Sequence, residues 1–406
     1  MSFVKDVDAA FVQKFFKAYY SERGREIFVP SRLQEREFGY FTFKGRIMVR
    51  HISFSNREEF LRLLAEKAPL HVYYSSAFYK YPRAPMEEKG WLGAELVFDI
   101  DADHLRTPCE KSHDFKICKS CLADYPPDLE KCPRCGGQLE KVEWVCEKCL
   151  EAARAEARKL LEILESDLGF ERIRLAFSGN RGYHVIVSDE SVLDLSQQER
   201  KEIIDYVTGA GLSLRALSLE RRRIVEEVAP ALDDPGWRGR IARSALELVI
   251  SADADKICEL AGTKSIARDL EEFLEKAKSM IDDRIPWNIL KPSVRKILVE
   301  AAKENASAHV DVVVTQDIHR LIRLAGSLNG KTGLKAAPID PNSLDDFDPE
   351  YTPVAFPMDE EVYVRIIRSH RIRLAGFELP PTSNKILKLP LAVAILLLCR
   401  GVATLP

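Results

Sequence analysis

Seven of the nine cysteines fall between Cys109 and Cys149, and no other feature restricts the fold as much. Two Cys-x-x-Cys pairs, Cys118/Cys121 and Cys132/Cys135, stand ten residues apart, with Gly136-Gly137 after the second. Four thiolates at this spacing suit a closed tetrahedral Zn2+ site. Outside them lie Cys109, His113, Cys146 and Cys149, a set able to close a second site of three thiolates and one imidazole. In a nested arrangement the inner ribbon is an insertion whose ends the outer site ties together. In the alternative, Cys109 and His113 join Cys118 and Cys121, and the remaining four form the ribbon. Both use the same ligands and leave no open coordination position, so one or two structural zinc ions are expected. In an intracellular chain this spacing argues for metal rather than disulfides.

The stretch that carries chemistry lies just before. Leu96, Val97 and Phe98 form an apolar run that reads as a buried strand, and Asp99, Ile100 and Asp101 follow it. Side chains two apart on a strand share a face, roughly 7 Å apart along the chain. Asp99 and Asp101 therefore face one way while Ile100 returns to the core. Carboxylates so placed can bridge a pair of divalent ions for in-line phosphoryl transfer.

Composition narrows the alternatives. With 406 residues, 46% hydrophobic and 30% charged, the chain is long enough for two or three lobes around a sizeable core. A net charge of −3 gives no global electrostatic pull on nucleic acid, so such binding must come from local patches. Lys5, Asp6 and Asp8 sit within an amphipathic N-terminal pattern rather than a signal peptide. Leu389 to Cys399 is too short to cross a bilayer and reads as a buried terminal element. No membrane association is expected, and the expected location is the cytoplasm.

Along the chain, Val7, Ala10, Phe11, Phe15 and Tyr19 recur at helical spacing. Phe38–Phe43 and Ile47–Phe54 alternate as a hairpin turning at Lys44-Gly45, and Ser55 with Glu58 marks a capping box. Glu147 to Leu168 is a long amphipathic helix closed near Gly169. Two strands then flank Ser178-Gly179-Asn180-Arg181-Gly182-Tyr183-His184. Such a glycine-rich turn exposes backbone amides, and its Ser, Arg and His can reach phosphate oxygens. Ser196 with Glu199 opens another helix, and Arg221-Arg222-Arg223 reads as a solvated helical face. Ile241–Ile250, Ile266–Ile281 and Ile297–Ala302 are helical in pattern. His309 to Val314 returns to strand character, with Asp311 among β-branched residues where a lone charge is costly unless paired or metal-bound. Arg323 and Lys331, the latter in Ser327-Leu328-Asn329-Gly330-Lys331-Thr332-Gly333, are cations of the kind that hold a triphosphate.

These signals, in this order, resemble the catalytic (small) subunit of the archaeo-eukaryotic DNA primase, closest to its archaeal form. The resemblance spans nearly the whole chain and includes Arg36-Glu37-Phe38, Gly236-Trp237-Arg238-Gly239-Arg240 and Leu391–Arg400. It implies that Asp99, Asp101 and Asp311 bind two Mg2+ or Mn2+ ions, and that Ser178, Arg181, His184, Arg323 and Lys331 contact the nucleotide. The family's zinc knuckle matches Cys109, His113, Cys146 and Cys149, which favours the nested arrangement. The family often has His where this chain has Asn329, and Pro where it has Ala325.

The fold class expected is α/β (α+β). A primase-type catalytic lobe with a mixed sheet would span 1–108, 150–237 and 306–406, with a zinc-binding knuckle at 109–149 and its ribbon at 118–135. A helical lobe would span 238–305. The implied activity is synthesis of short RNA primers from NTPs on single-stranded DNA for replication, with DNA primers as a further product. A repair-type primase-polymerase and a nucleic-acid-binding accessory subunit are the rivals. The implied partner is a large primase subunit carrying an iron–sulfur domain, docked on the helical lobe. Cys258 and Cys399, the two cysteines left over, are too few to supply that cluster.

Overall fold

The structure is a computed structural model and describes residues 3–406, apart from 104, 106–108, 110–112, 264–266 and 279–284. The chain folds as two units, one of residues 1–155, 172–200 and 311–406, the other of residues 156–171 and 201–310.

The first unit is built on two four-stranded sheets. Helix α1 (Asp6–Glu22) buries Val12, Phe16, Tyr19 and Tyr20 at helical spacing. Strands β1 (Phe38–Phe41) and β2 (Met48–Ile52) form the expected hairpin, with Gly45 and Arg46 at positive φ in its turn. Helix α2 (Arg57–Lys67) is capped by Asn56, whose side chain accepts from the Glu59 amide, one residue later than Ser55 and Glu58 suggest. Strand β3 (His71–Ser75) follows, then a short pair, β4 (Ala77–Tyr79) and β5 (Trp91–Ala94). Strand β6 (Leu96–Asp101) carries the aspartates. Strands β7 (Phe115–Cys118), β8 (Asp124–Tyr125) and β9 (Leu139–Val142) form the small sheet of the cysteine-rich segment.

Helix α3 (Glu147–Glu162) ends in a π-type turn, Ile163–Asp167, before Gly169 at φ +68°. Strands β10 (Ile173–Phe177) and β11 (Gly182–Val187), the turn α4 (Glu190–Leu193) and helix α5 (Gln197–Val207) come next. Ser196 and Glu199 form the capping box of α5, each bonding the other's amide.

Helices α6 (Gly236–Ser251), α7 (Ala254–Leu260), α8 (Ala267–Lys278) and α9 (Pro292–Ala306) belong to the second unit. This unit takes in more chain than the 238–305 expected. Ile266 and Ile281, the expected ends of its middle helix, lie outside the described residues. Arg221–Arg223 form a bend rather than a helical face.

The chain returns to the first unit through α10 (Val312–Gln316), β12 (Leu321–Arg323) and β13 (Pro338–Ile339). Strands β14 (Glu361–Ser369), β15 (Ile372–Leu374), β16 (Phe377–Leu379) and β17 (Thr382–Pro390) follow. Helix α11 (Leu391–Cys399), buried at every position, is the expected terminal core element, and β18 (Ala403–Thr404) ends the chain.

The strand orders are β12-β3-β1-β2 and β13-β10-β11-β6. The α/β class is as expected, but the sheets are not mixed: every strand pairing among the described residues is antiparallel. Hairpins account for pairs such as β1–β2 and β10–β11, while β6–β11 and β3–β12 bring together strands far apart in the chain.

Candidate active site and metal centres

Pairing between β6 and β11 sets Asp99 opposite His184 and Asp101 opposite Gly182. The two carboxylates thus share a face, as the period of two requires. His184 Nε2 lies 3.5 Å from Asp99 Oδ1. Burial pushes the His184 pKa down, and although Asp99 opposes this, the net direction is downward, towards a neutral ring. Gly182 permits the close strand contact: a Cβ there would fall 2.0 Å from the Ile100 carbonyl oxygen.

The β10–β11 turn treats its polar residues unequally. Ser178 Oγ accepts the Gly182 amide at 3.2 Å, so this side chain serves the turn. Arg181 is fully engaged: Nε donates to Asp101 at 2.6 Å, Nη1 to Glu143 at 3.1 Å, and Nη2 to Asp103. Burial works against its charge, but the three carboxylates outweigh that and hold it protonated. Burial likewise raises the Asp101 pKa, while Arg181 and contacts from Asp103 reverse the direction and keep the carboxylate ionised.

Asp311 departs from expectation. It lies on no strand but is the N-cap of the single turn α10, its Oδ1 accepting the amides of Val313 and Val314 at 2.9 and 3.1 Å. The three valines suggest a strand by propensity, yet a capping aspartate decides otherwise, and Val312 and Val313 are exposed. The Asp311 amide donates to the Asp99 carbonyl at 2.9 Å, which fixes α10 beside β6.

A cavity of about 350 Å³ is lined by Asp99, Asp101 and His184 together with Arg320, Arg323 and Lys331. Arg323 reaches it from β12, beside β3, and its Nη2 donates to the Tyr73 hydroxyl at 3.2 Å. Lys331 comes from the loop after β12. Asn329 fixes that loop to the β10–β11 turn: its Nδ2 donates to the Ser178 carbonyl at 2.9 Å, and its Oδ1 accepts the Lys331 amide at 2.9 Å. Arg181 lines a different, smaller cavity with Asp103, Glu143, His113 and Cys149. Arg320 and Tyr73 carry no motif that marks them in the sequence. Arg320 stands three residues before Arg323, a spacing that reads as helical and hides its place at the start of a strand.

The cysteines divide into two groups, Cys109/His113/Cys146/Cys149 and Cys118/Cys121/Cys132/Cys135, each with its ligand atoms within 4.8 Å of one another. This is the nested one of the two arrangements. Sulfur–sulfur separations of 3.3 Å for Cys109–Cys149 and 3.5 Å for Cys118–Cys135 and Cys121–Cys132 exceed a disulfide bond. They approach the edge of a tetrahedron of Zn–S bonds, about 3.8 Å. The donor chemistry of both groups fits zinc. Among the described residues Asp99, Asp101 and Asp311 are not gathered that closely. Their all-oxygen donor set suits Mg2+ or Mn2+, and Arg181 supplies the positive charge beside Asp101.

Residues 128–341 match the family model described as DNA primase small subunit. The chain is 34% identical to the DNA primase small subunit PriS of Cenarchaeum symbiosum, over 98% of each chain. It is 32% identical to that of Nitrosopumilus maritimus over 99% of this chain and 100% of the other. It is 36% identical to that of Pyrobaculum calidifontis over 82% and 79%. This chain belongs to the DNA primase small subunit family. The family makes it a primase, in general terms a nucleotidyltransferase of DNA replication. For a primase small subunit the ribbon at Cys118–Cys135 is a second metal-capable module nested within the knuckle. No helix among the described residues is long and apolar enough to cross a membrane.

Proposed function

We propose that this primase subunit synthesises short RNA primers on single-stranded DNA, joining NTPs by phosphoryl transfer in the cavity between β6 and β12. The observation that carries this reading is one cavity with two carboxylates of a rigid strand and three cations on its lining. Asp99, Asp101 and Asp311 would hold Mg2+ or Mn2+, which when bound activates a primer 3′-hydroxyl and stabilises the pyrophosphate leaving group. Arg320, Arg323 and Lys331 bind and orient the triphosphate. His184, neutral and opposite Asp99, offers a ring N–H to a phosphate oxygen. Arg181 acts first by holding Asp101 ionised and oriented. Ser178 and Asn329 shape the turn and the loop that present these groups. Both zinc sites are structural.

The large primase subunit is the proposed partner, docked on the helical unit. Val225, Val228 and Ile289 are about half exposed there, and Glu226 brings their segments together by accepting the Asn288 amide at 2.9 Å. With a net charge of −3 the chain alone should hold template weakly and initiate poorly. The test is template-dependent synthesis, with and without the large subunit, using ribo- or deoxyribonucleotides. Ribonucleotide primers that appear mainly in the complex support the reading. Release of nucleotides from DNA with no requirement for triphosphates would replace it with a nuclease.

A further inference from the structure

His71 does not line the cavity, yet two of the elements that do are tied to one of its atoms. Arg323 Nη1 donates to His71 Nδ1 at 2.7 Å. The Gly330 amide, next to Lys331, donates to the same Nδ1 at 3.2 Å. A guanidinium and an amide can only donate, so Nδ1 is an acceptor and the ring proton sits on Nε2. The surroundings agree: burial, then Arg323, Lys331 and Arg46, push the pKa of His71 well below its ordinary value. The ring is therefore neutral when it receives both bonds.

Each side of this junction is otherwise fixed. His71 opens β3, where its partner across the ladder is Phe41. Arg323 also lies over the Tyr73 ring, with its guanidinium 5.1 Å from the ring centre. Gly330 packs so closely on Leu70 that a Cβ there would come within 2.4 Å of the leucine side chain. The donors come from a strand and a loop seven residues apart, and nothing else described accepts from both.

We infer that His71 is a positioning residue for nucleotide binding: as a neutral acceptor it sets the spacing of Arg323 and Lys331 to fit one triphosphate. The inference rests on the proposed role of those two cations. A rigid cationic pair loses less freedom when it closes on phosphate, so the contribution should appear in substrate binding more than in chemistry.

The test is steady-state extension of an annealed primer by the full chain with its large subunit, varying NTP. His71→Ala should raise KM about tenfold and change kcat less than about threefold. His71→Asn places an amide oxygen near the Nδ1 position and should bring KM back to within about twofold of the parent. His71→Gln places its oxygen nearer the Nε2 position and should resemble alanine. Arg323→Ala should raise KM by itself, and adding His71→Ala to it should raise KM little further. Thermal melting of each variant separates misfolding from misplacement. If His71→Ala does not fold, the Asn and Gln variants decide. Equal KM in those two overturns the inference, as does an unchanged KM in His71→Ala. An unchanged KM in Arg323→Ala instead overturns the triphosphate reading on which the inference depends.

Discussion

Buried charge closes on itself in both units. In the first, Arg36 pairs with Glu95 at 2.9 Å, and the helical unit has its own closed networks. Arg240, 5% exposed, makes a two-pronged contact with Asp167 at 2.7 and 3.0 Å and reaches Glu162 at 3.1 Å. Arg295 donates to the carbonyls of Leu219, Arg221 and Leu290, and nearer the surface the half-exposed His309 lies between Glu156 and Glu304. The first unit differs in a second set of charges: Asp99, Arg320, Arg323 and Lys331 converge on an open cavity. Side chains satisfied by one another hold a fold together. Groups that face a space with an excess of one charge are suited to bind something of the other.

Substitutions in the two units should therefore have different consequences. The largest effect concerns the carboxylates. Asp101→Ala and Asp311→Ala should each lower nucleotide incorporation by about a thousandfold, on the scale of lost transition-state charge stabilisation. Both also touch stability, since Asp311→Ala removes an N-cap, worth about 0.5–2 kcal/mol, and Asp101→Ala removes one of the three carboxylates on Arg181, so incorporation is compared at equal folded concentration. Equal incorporation by parent and variants would remove the distinction between the units.

Arg240→Ala should do the reverse. It strands the buried Asp167 carboxylate and should cost about 3–5 kcal/mol in denaturant unfolding. Activity per folded molecule should stay within about twofold. A specific loss of activity with normal stability would show that the helical unit takes part in chemistry.

The cysteine groups test whether structural closure extends to metal. Elemental analysis should find close to two zinc ions per chain, one for each group. Cys118→Ser with Cys121→Ser should lose one ion and keep primer extension within about threefold. Loss of both ions would mean that the two groups form a single cooperative site.

The smallest effect is in pH. His71 and His184 have folded pKa values below the unfolded one, so the unfolded chain binds the extra proton first. Their contribution to stability is present above about pH 6.5 and is lost as pH falls from there through the folded values. His309 has its pKa raised, first by the hydrogen bond to Glu156. Its contribution is complete below about pH 6.5 and is lost as pH rises through the folded value. Melting curves across this range should therefore show His309→Gln losing most, relative to parent, on the acid side. A deficit confined to the alkaline side would contradict the assigned charge state.

Asp99 and Asp101 were legible in the sequence because strand period is a local property, and pairing with β11 only adds their neighbours. The cysteine clusters were legible as ligands, but which cysteine joins which depends on how the chain closes around the ribbon, so two arrangements stood until the structure separated them. Asp311 was legible as a residue and not as a conformation: three valines outweigh a capping aspartate in any reading by propensity. Arg181 was expected at the nucleotide, but its partners Asp101, Asp103 and Glu143 are 80, 78 and 38 residues away. His71 was invisible for the same reason, since it meets Arg323 across 252 residues and Gly330 across 259. Contacts of that span follow from sheet pairing, which local patterns do not encode.

Nucleotidyl transfer should depend above all on the strand that bears Asp99. The decisive comparison is extension of an annealed primer by one nucleotide, with Mg2+ or Mn2+, by the parent and by Asp99→Ala at equal folded concentration. The rate should fall at least about a thousandfold, with melting temperature and zinc content unchanged. Retention of more than a few per cent of the parent rate, by a variant that melts normally, would contradict that dependence.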